Sequence, residues 1–582
     1  MPKATKYTVL RNWMLFVGLL AFFSLVVRPG LSMPKSWDLF WHIVDGIIVA
    51  SFVVSFILRF IWAPDKKLFV RANAFELAIL FIFSMQLFIM ILFLRQPQVS
   101  EAIKSIGTVS ITKIYVLFAQ VFIVVELIAN LGRINARVAS LPLSPPVLFV
   151  GSFVFVIAVG TLLLSLPGAT KHGIKFIDAL FTATSATCVT GLIVMRTGAD
   201  FTRYGHNVIL GLIQIGGLGL MTFATFSALI LRGEIGIKER VLLGDILNIR
   251  VFSKIKSLVI AIILFTFVIE ALGVVGLYFA TGEYESLPEG RFYFSVFHAV
   301  SAFCNAGFSL WDTNLARFVH NPLGSIIMMI LIVLGGLGFV VLTDLWTILT
   351  SPFRRRRNVG LSLHSKLVLI LTLSLILSAT IVFFLLERGH ILSGLSTAEK
   401  WIAAFFQAIT PRTAGFNTVS TGALRCPTLF ILGILMFIGA SPGSTGGGIK
   451  TTTFGIIILG IINRLRGHEE IKVFNRTIPW YVMQQAAMVM FLGLTVVSLG
   501  LFGLLILEPA KGFINLLFEQ LSAFGTVGLS TGITPNLSAG AKLIIIVTML
   551  VGRIGPLTFL TAIAFRMKKS RVGFPKEDIL IG

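Results

Sequence analysis

Four short stretches combine aromatic, small and hydroxylic residues in a pattern suited to holding a bare cation with backbone oxygens. They are FTATSATCVTGL at 181–192, FHAVSAFCNAGF at 297–308, FQAITPRTAGF at 406–416 and FEQLSAFGTVGL at 518–529. Each begins with Phe, places Ser or Thr four residues on, and closes on Gly followed by Leu or Phe. The candidate binding residues are Val189, Thr190 and Gly191; Asn305, Ala306 and Gly307; Thr413, Ala414 and Gly415; and Thr526, Val527 and Gly528. None is acidic. That suits a monovalent ion, whose water shell rings of carbonyl dipoles can replace; carboxylates would bind too tightly or favour divalent ions. Glycine permits the positive φ that turns a carbonyl inward where a Cβ would obstruct. Small residues also serve helix packing in membranes. Four copies, each ending a half-length apolar segment between two full spans, argue against packing as their sole purpose.

A second unusual stretch is IGASPGSTGGGIKTTTF at 438–454, where matched positions elsewhere read IGGLGLMTF at 215–223, LGGLGFVVL at 334–342 and VGRIGPLTF at 551–559. Glycine costs a helix about 1 kcal/mol and proline about 3 kcal/mol relative to alanine, so this span is expected to break mid-membrane. Broken backbone is tolerated at that depth where it borders a cavity. GSTGGGIKT also resembles a nucleotide-binding loop, but Ile449 separates Gly448 from Lys450 and no strand precedes it. A purely structural hinge would look identical in sequence. Arg553, in the middle of the last apolar span, is expected to face a cavity or partner, because a charge there is costly.

These residues need membrane-embedded elements to position them. The chain has 582 residues, 56% hydrophobic and 13% charged, with a mean hydropathy of +0.94, outside the range of soluble globular domains. Apolar runs of about 20 residues, enough to cross a hydrocarbon core, recur throughout. The closing glycines return at intervals of roughly 110 residues, which defines a repeated unit. Each unit reads as a long helix (147–166, 257–280, 366–386, 480–507), the Phe-to-Gly segment, and a second long helix (207–231, 323–349, 428–462, 541–565). The middle segment is half a span long and must leave the membrane on the side it entered, as a re-entrant pore helix. The expected fold is an all-α polytopic membrane protein with four tandem helix–pore loop–helix units in pseudo-fourfold arrangement. Residues 1–140 form accessory N-terminal helices near 12–27, 39–63, 72–94 and 114–131, with Glu76 and Glu126 facing other helices or headgroups. The units occupy 141–240, 241–357, 358–470 with the broken span, and 471–582 with a C-terminal tail.

The net charge of +23 does not indicate nucleic acid, because no solvated basic domain exists and the basic residues lie between apolar runs. They mark the cytoplasmic side: Arg232, Lys238, Arg240, Arg250, Lys254 and Lys256; Arg354 to Arg357 and Lys366; Arg464, Arg466, Lys472 and Arg476; Arg566, Lys568, Lys569, Arg571 and Lys576. Both termini are then cytoplasmic, and the basic N-terminus leads into a retained helix. Cys188, Cys304 and Cys426 have neither disulfide nor zinc spacing. His298, Glu519 and Asp344 are read as structural: the first two facing away from the axis, the third an end-of-helix contact.

The four stretches, the broken span and Arg553 together resemble the Trk/Ktr/HKT superfamily of potassium transporters, over about 147–582. The resemblance implies a non-enzymatic K+ uptake protein of the cell membrane, with Gly191, Gly307, Gly415 and Gly528 as selectivity-filter glycines. Glycine in all four units goes with K+ in that family, and serine in the first goes with Na+. It makes Gly443, Ser444, Thr445, Gly446, Gly447, Gly448 and Lys450 an intramembrane gating loop and Arg553 its neighbouring gate arginine. K+ held by backbone carbonyls is the only metal implied, without a covalent cofactor. The implied partners are a second copy, met through the tail RVGFPKEDILIG, a cytosolic octameric ring of nucleotide-binding regulatory subunits, and membrane lipid. The N-terminal extension departs from the Ktr pattern. An ion-coupled secondary transporter is the competing class; it calls for inverted repeats and a midplane carboxylate, whereas these repeats run in one direction. A membrane enzyme would need a nucleophile and base, for which His298 and Cys304 are too isolated.

Overall fold

The computed structural model describes residues 3–31, 34–72, 77, 145–219, 255–284, 287–351, 360–468 and 470–563. The expected helices at 72–94 and 114–131, with Glu76 and Glu126, lie outside these residues almost entirely. So do the basic residues within 232–254, 354–357 and 566–576 and the C-terminal tail. Among the described residues, six helices are long and apolar enough to cross a membrane, or up to eight when each bent pair counts as one span. The protein is a multi-pass membrane protein.

The repeated unit appears as the sequence patterning requires. Its opening helices are Pro145–Leu164, Ile255–Ala280, Leu363–Glu387 and Trp480–Leu507. Short helices follow at Phe176–Thr187, Arg291–Phe303, Thr397–Ile409 and Phe513–Gly525. At 1.5 Å per residue these reach only about 20 Å, short of a hydrocarbon core of about 30 Å. The start of the third is specified locally, by a capping box of Ser396 and Glu399. The phenylalanines that open the pattern, Phe181, Phe297, Phe406 and Phe518, are at most 1% exposed and fix each short helix inside its unit. Without a hydrophobic drive between helices in lipid, such close packing is a main source of association.

The closing helices differ from expectation. Only the third was expected to break, yet the second and fourth are also bent, Pro322–Leu337 against Phe339–Thr350 by 105° and Ala539–Ile554 against Pro556–Ile563 by 104°. The first, Arg203–Leu218, ends at Gly219, and the rest of its expected span to 231 lies beyond the described residues. The physical reason is one glycine per unit: Gly219, Gly338 and Gly555 adopt φ of 79°, 92° and 95°, a conformation open to glycine almost alone. The third closing helix breaks as expected, into Cys426–Phe437 and Thr451–Leu465, with 438–450 between them.

Packing runs from unit to unit around a closed circuit. One core cluster joins Ala183 and Val189 of the first unit to Phe297 and Leu331 of the second and Phe406 of the third. Another joins Ala403 of the third to Phe518 of the fourth. A third returns from Ile545 and Met549 of the fourth to Phe181 and Cys188 of the first. At the N-terminus, Lys3–Phe22 packs on Asp38–Trp62 through Val17, Ala21, Trp41 and Ile48. Between the third and fourth units, Ile471–Val473 and Arg476–Ile478 form an antiparallel hairpin.

Candidate functional site

The four candidate triplets begin within four residues of the ends of the four short helices. Their first residues, Val189, Asn305, Thr413 and Thr526, have φ of 56°, 58°, 75° and 49°. Their glycines, Gly191, Gly307, Gly415 and Gly528, have φ of 89°, 72°, 75° and 96°. Left-handed backbone is costly for a β-branched residue and persists only where its surroundings over-determine it. Here the recurring Ser or Thr supplies the constraint. Ser185 and Ser301 hydroxyls donate to the carbonyls of Leu192 and Phe308 at 2.8 Å, and Thr410 to Phe416 at 2.5 Å. The amides of Gly191 and Gly528 donate to Ser185 and Ser522 Oγ at 3.0 Å. The amides of Thr190, Ala306, Ala414 and Val527 donate to the backbone carbonyls of those same four residues. The hydroxyl four residues after Phe is thus the clamp that shapes each triplet.

The triplets converge. A Cβ on Gly191 would run into the carbonyl oxygen of Ala306; one on Gly307 would meet that of Ala414, one on Gly415 that of Val527, and one on Gly528 that of Thr190. The contacts follow chain order and close on themselves. Among the described residues no carbonyl of the four triplets accepts a hydrogen bond, although nearly every buried carbonyl in a folded protein has a partner. Asn305 contributes no side-chain oxygen: its amide, oriented to satisfy its neighbours, donates to the carbonyls of Ile332 and Ala302 at 3.2 and 3.1 Å. The chemistry offered is a ring of unpaired backbone oxygens.

The expected loop lies directly against these triplets. Gly446 is packed on Thr413 Oγ1, and the Gly447 amide donates to Thr526 Oγ1 at 3.1 Å. Thr445 Oγ1 donates to the carbonyls of Phe303 and Gly335 at 3.2 and 3.1 Å. The amides of Ser441, Phe339 and Gly448 donate to the carbonyls of Gly336, Gly443 and Gly552, respectively. Lys450 donates back to the Gly446 carbonyl at 2.8 Å. Arg553 donates to the carbonyls of both Thr445 and Gly216, tying the loop to the first unit. Aligning the closing helices shows why: Arg553 takes the place held by Gly217 and Gly336 in IGGLG and LGGLG.

His298 and Glu519 are buried and brace the segments that follow their triplets. His298 Nε2 lies 3.0 Å from Ser309 Oγ; Glu519 accepts from the Thr531 amide at 3.2 Å and Thr534 Oγ1 at 2.9 Å. Asp344 caps the next helix through Ser362 and Ser365. The sequence reading missed Glu270, 5% exposed in the second opening helix, which receives Gln214 Nε2 at 3.1 Å. A single acid in a long apolar run was the available signal.

A family model described as a cation transport protein, TrkH, matches residues 150–572. The chain belongs to this family. Among TrkH-family relatives, a Ktr system potassium uptake protein B of Bacillus subtilis is 44% identical over 440 residues, covering 75% of this chain and 96% of the relative. A protein of the same description from Vibrio alginolyticus is 38% identical over 438 residues, covering 74% and 93%. A potassium/sodium uptake protein, NtpJ, of Enterococcus hirae is 35% identical over 452 residues, covering 76% and 98%. The crystal structure of the potassium transporter TrkH from Vibrio parahaemolyticus matches with a TM-score of 0.55 at 19% identity, covering 71% of this chain and 83% of that one, which establishes the common fold.

Proposed function

We propose that this chain carries K+ into the cell through a channel-like pathway whose selectivity filter is built by the four triplets. The observation that carries this reading is the closed circuit of glycines and unpaired carbonyls, because carbonyl rings can replace the hydration shell of K+. No geometry of the ion is implied beyond that ring. An inside-negative potential supplies about 2.3 kcal/mol per charge per 100 mV, which accounts for accumulation without a hydrolytic step in this chain. Residues 443–448, Lys450 and Arg553 form the gate: the loop is packed on Thr413 and Thr526 and is held by hydrogen bonds that a modest change in the closing helices can break.

The printed names of the relatives support potassium uptake, and "Ktr system" supports a membrane component that works with a separate subunit. We assign that subunit as a cytosolic nucleotide-binding ring meeting the basic loops, with the chain itself a homodimer whose termini are cytoplasmic. A second reading, coupling to Na+, is favoured by the potassium/sodium relative and by the intramembrane Glu270.

The test is K+ and Na+ uptake by cells that lack their own K+ importers. The wild type restores growth on limiting K+ in this account, and Gly415→Ser loses K+ affinity or selectivity, because its Cβ runs into the Val527 carbonyl. Wild-type selectivity in a normally folded Gly415→Ser protein refutes the filter assignment, and Na+ uptake in proportion to K+ supports the coupled reading.

A further inference from the structure

Glu270 sits in the middle of the opening helix Ile255–Ala280, in the bilayer interior, with 5% of its surface exposed. An ionisable group at that depth is costly and normally faces a partner or a pathway. Its neighbours are unusual. Gln214, from the closing helix of the first unit, points its amide at both carboxyl oxygens, at 3.1 and 3.3 Å. Cys304, the residue immediately before Asn305 of the second triplet, places Sγ 3.8 Å from Oε1. Among the described residues no cationic side chain pairs with Glu270. The guanidinium of Arg553 is committed to the Thr445 and Gly216 carbonyls.

We propose that Glu270 is an affinity-determining residue of the filter, a fixed negative charge behind the second triplet whose counter-charge is the permeating cation. The proposal rests on the filter reading above. Buried charges persist when they are paired, and the second triplet, joined to Glu270 through Cys304, is the adjacent place where a cation can sit. Gln214 and Cys304 both offer hydrogens to the carboxyl group, which fits a charged acceptor. The space that Cys304 occupies is created by Gly217: a Cβ there would come within 2.5 Å of Sγ. At the matched position of the fourth unit Arg553 stands instead of glycine. The filter is therefore charged unequally around its ring, negative behind the second unit and positive between the fourth and the first. A protonated Glu270 would be a neutral hydrogen-bonding group, which glutamine would replace without consequence.

The experiment compares full-length wild type, Glu270→Gln, Glu270→Asp and Gly307→Ser in cells lacking K+ importers. It measures the K+ concentration for half-maximal uptake, the maximal rate, and the melting temperature of each purified protein with and without K+. One charge roughly 10 Å from a cation, at an effective dielectric of about 20, changes affinity by about tenfold. Glu270→Gln is expected to raise the half-saturating K+ by that factor at an undiminished maximal rate, and to blunt the K+-dependent rise in melting temperature. Glu270→Asp, keeping the charge, should stay within about threefold of wild type. Wild-type half-saturation in Glu270→Gln overturns the proposal. If glutamine prevents folding, equal impairment of affinity and maximal rate in Glu270→Asp overturns it, because a displaced charge acts on affinity alone. Gly307→Ser separates the two readings: lost selectivity there beside an unaffected Glu270→Gln defeats this proposal alone, whereas unchanged selectivity in Gly307→Ser defeats the filter reading itself.

Discussion

The hydroxyl four residues after Phe is the smallest feature on which the account depends. Ser301 Oγ donates to the Phe308 carbonyl at 2.8 Å, and the Ala306 amide donates to the Ser301 carbonyl at 2.7 Å, so one residue holds the middle of the second triplet and the residue that follows it. Ser301→Ala removes the side-chain bond and leaves a buried carbonyl unpaired, at a cost of about 1–3 kcal/mol. The expected outcome is a K+ to Na+ preference reduced by about tenfold or more, measured as the ratio of half-saturating concentrations; an unchanged ratio would show that the backbone holds its shape without the clamp. The conspicuous part of this arrangement, small residues ending in glycine, was legible in the sequence. What the Ser or Thr does was not, since its partners lie six or seven residues on, across a turn whose left-handed residues include Val189 and Thr526. Propensity alone gives no reason to place a β-branched residue there. Glu270 escaped for a related reason: its significance comes from Gln214, 56 positions away in sequence.

At the scale of elements, the broken third closing helix could be read directly from Pro442 and its glycines, whereas the bends in the second and fourth could not. IGGLG, LGGLG and VGRIG read as small-residue packing motifs, and their second residue does serve that role: Gly216, Gly335 and Gly552 lie on the end carbonyls of their own units' short helices, at Thr187, Phe303 and Phe524. The bend is made three residues later, at a glycine whose need for positive φ leaves no mark on periodicity. Gly338→Ala tests this. Its φ of 92° is unsuited to alanine, and the added Cβ would lie 2.5 Å from the Pro442 carbonyl oxygen at the root of the loop. Strained backbone of this kind costs on the order of 1–3 kcal/mol, so a thermal-unfolding midpoint lowered by several degrees is expected. A midpoint equal to wild type would mean that the bend is not imposed at Gly338. The loop itself has a separate test: deleting residues 443–448 should raise K+ flux in a protein that still folds, and a reduced flux would identify the segment as a hinge rather than a barrier.

For the whole molecule, the decisive property is closure. Each triplet is incomplete alone; its glycine is shaped to admit the carbonyl of the next unit, and the fourth returns to the first. The sequence showed four units of one polarity but not their order around an axis, because nothing local encodes which unit neighbours which. The core clusters supply that order, with Ile545 and Met549 of the fourth unit packed against Phe181 of the first. The partly buried ion pair of Lys542 and Asp178, at 2.7 Å, spans the same seam. In the proposed pathway four unlike copies share one task while differing in side chains, since each contributes backbone oxygen, and the proposals for Glu270 and Arg553 place affinity and gating in those differences.

In the proposed pathway a cation is held by the backbone carbonyls where the four triplets meet. Crystals of the full-length protein grown in Rb+, an analogue of K+ with a strong anomalous signal, test it most directly. Anomalous density is expected enclosed by the carbonyls of residues 189–191, 305–307, 413–415 and 526–528, displaced by excess K+ and not by Na+. Density confined to another part of the molecule, or equal displacement by Na+, would contradict it.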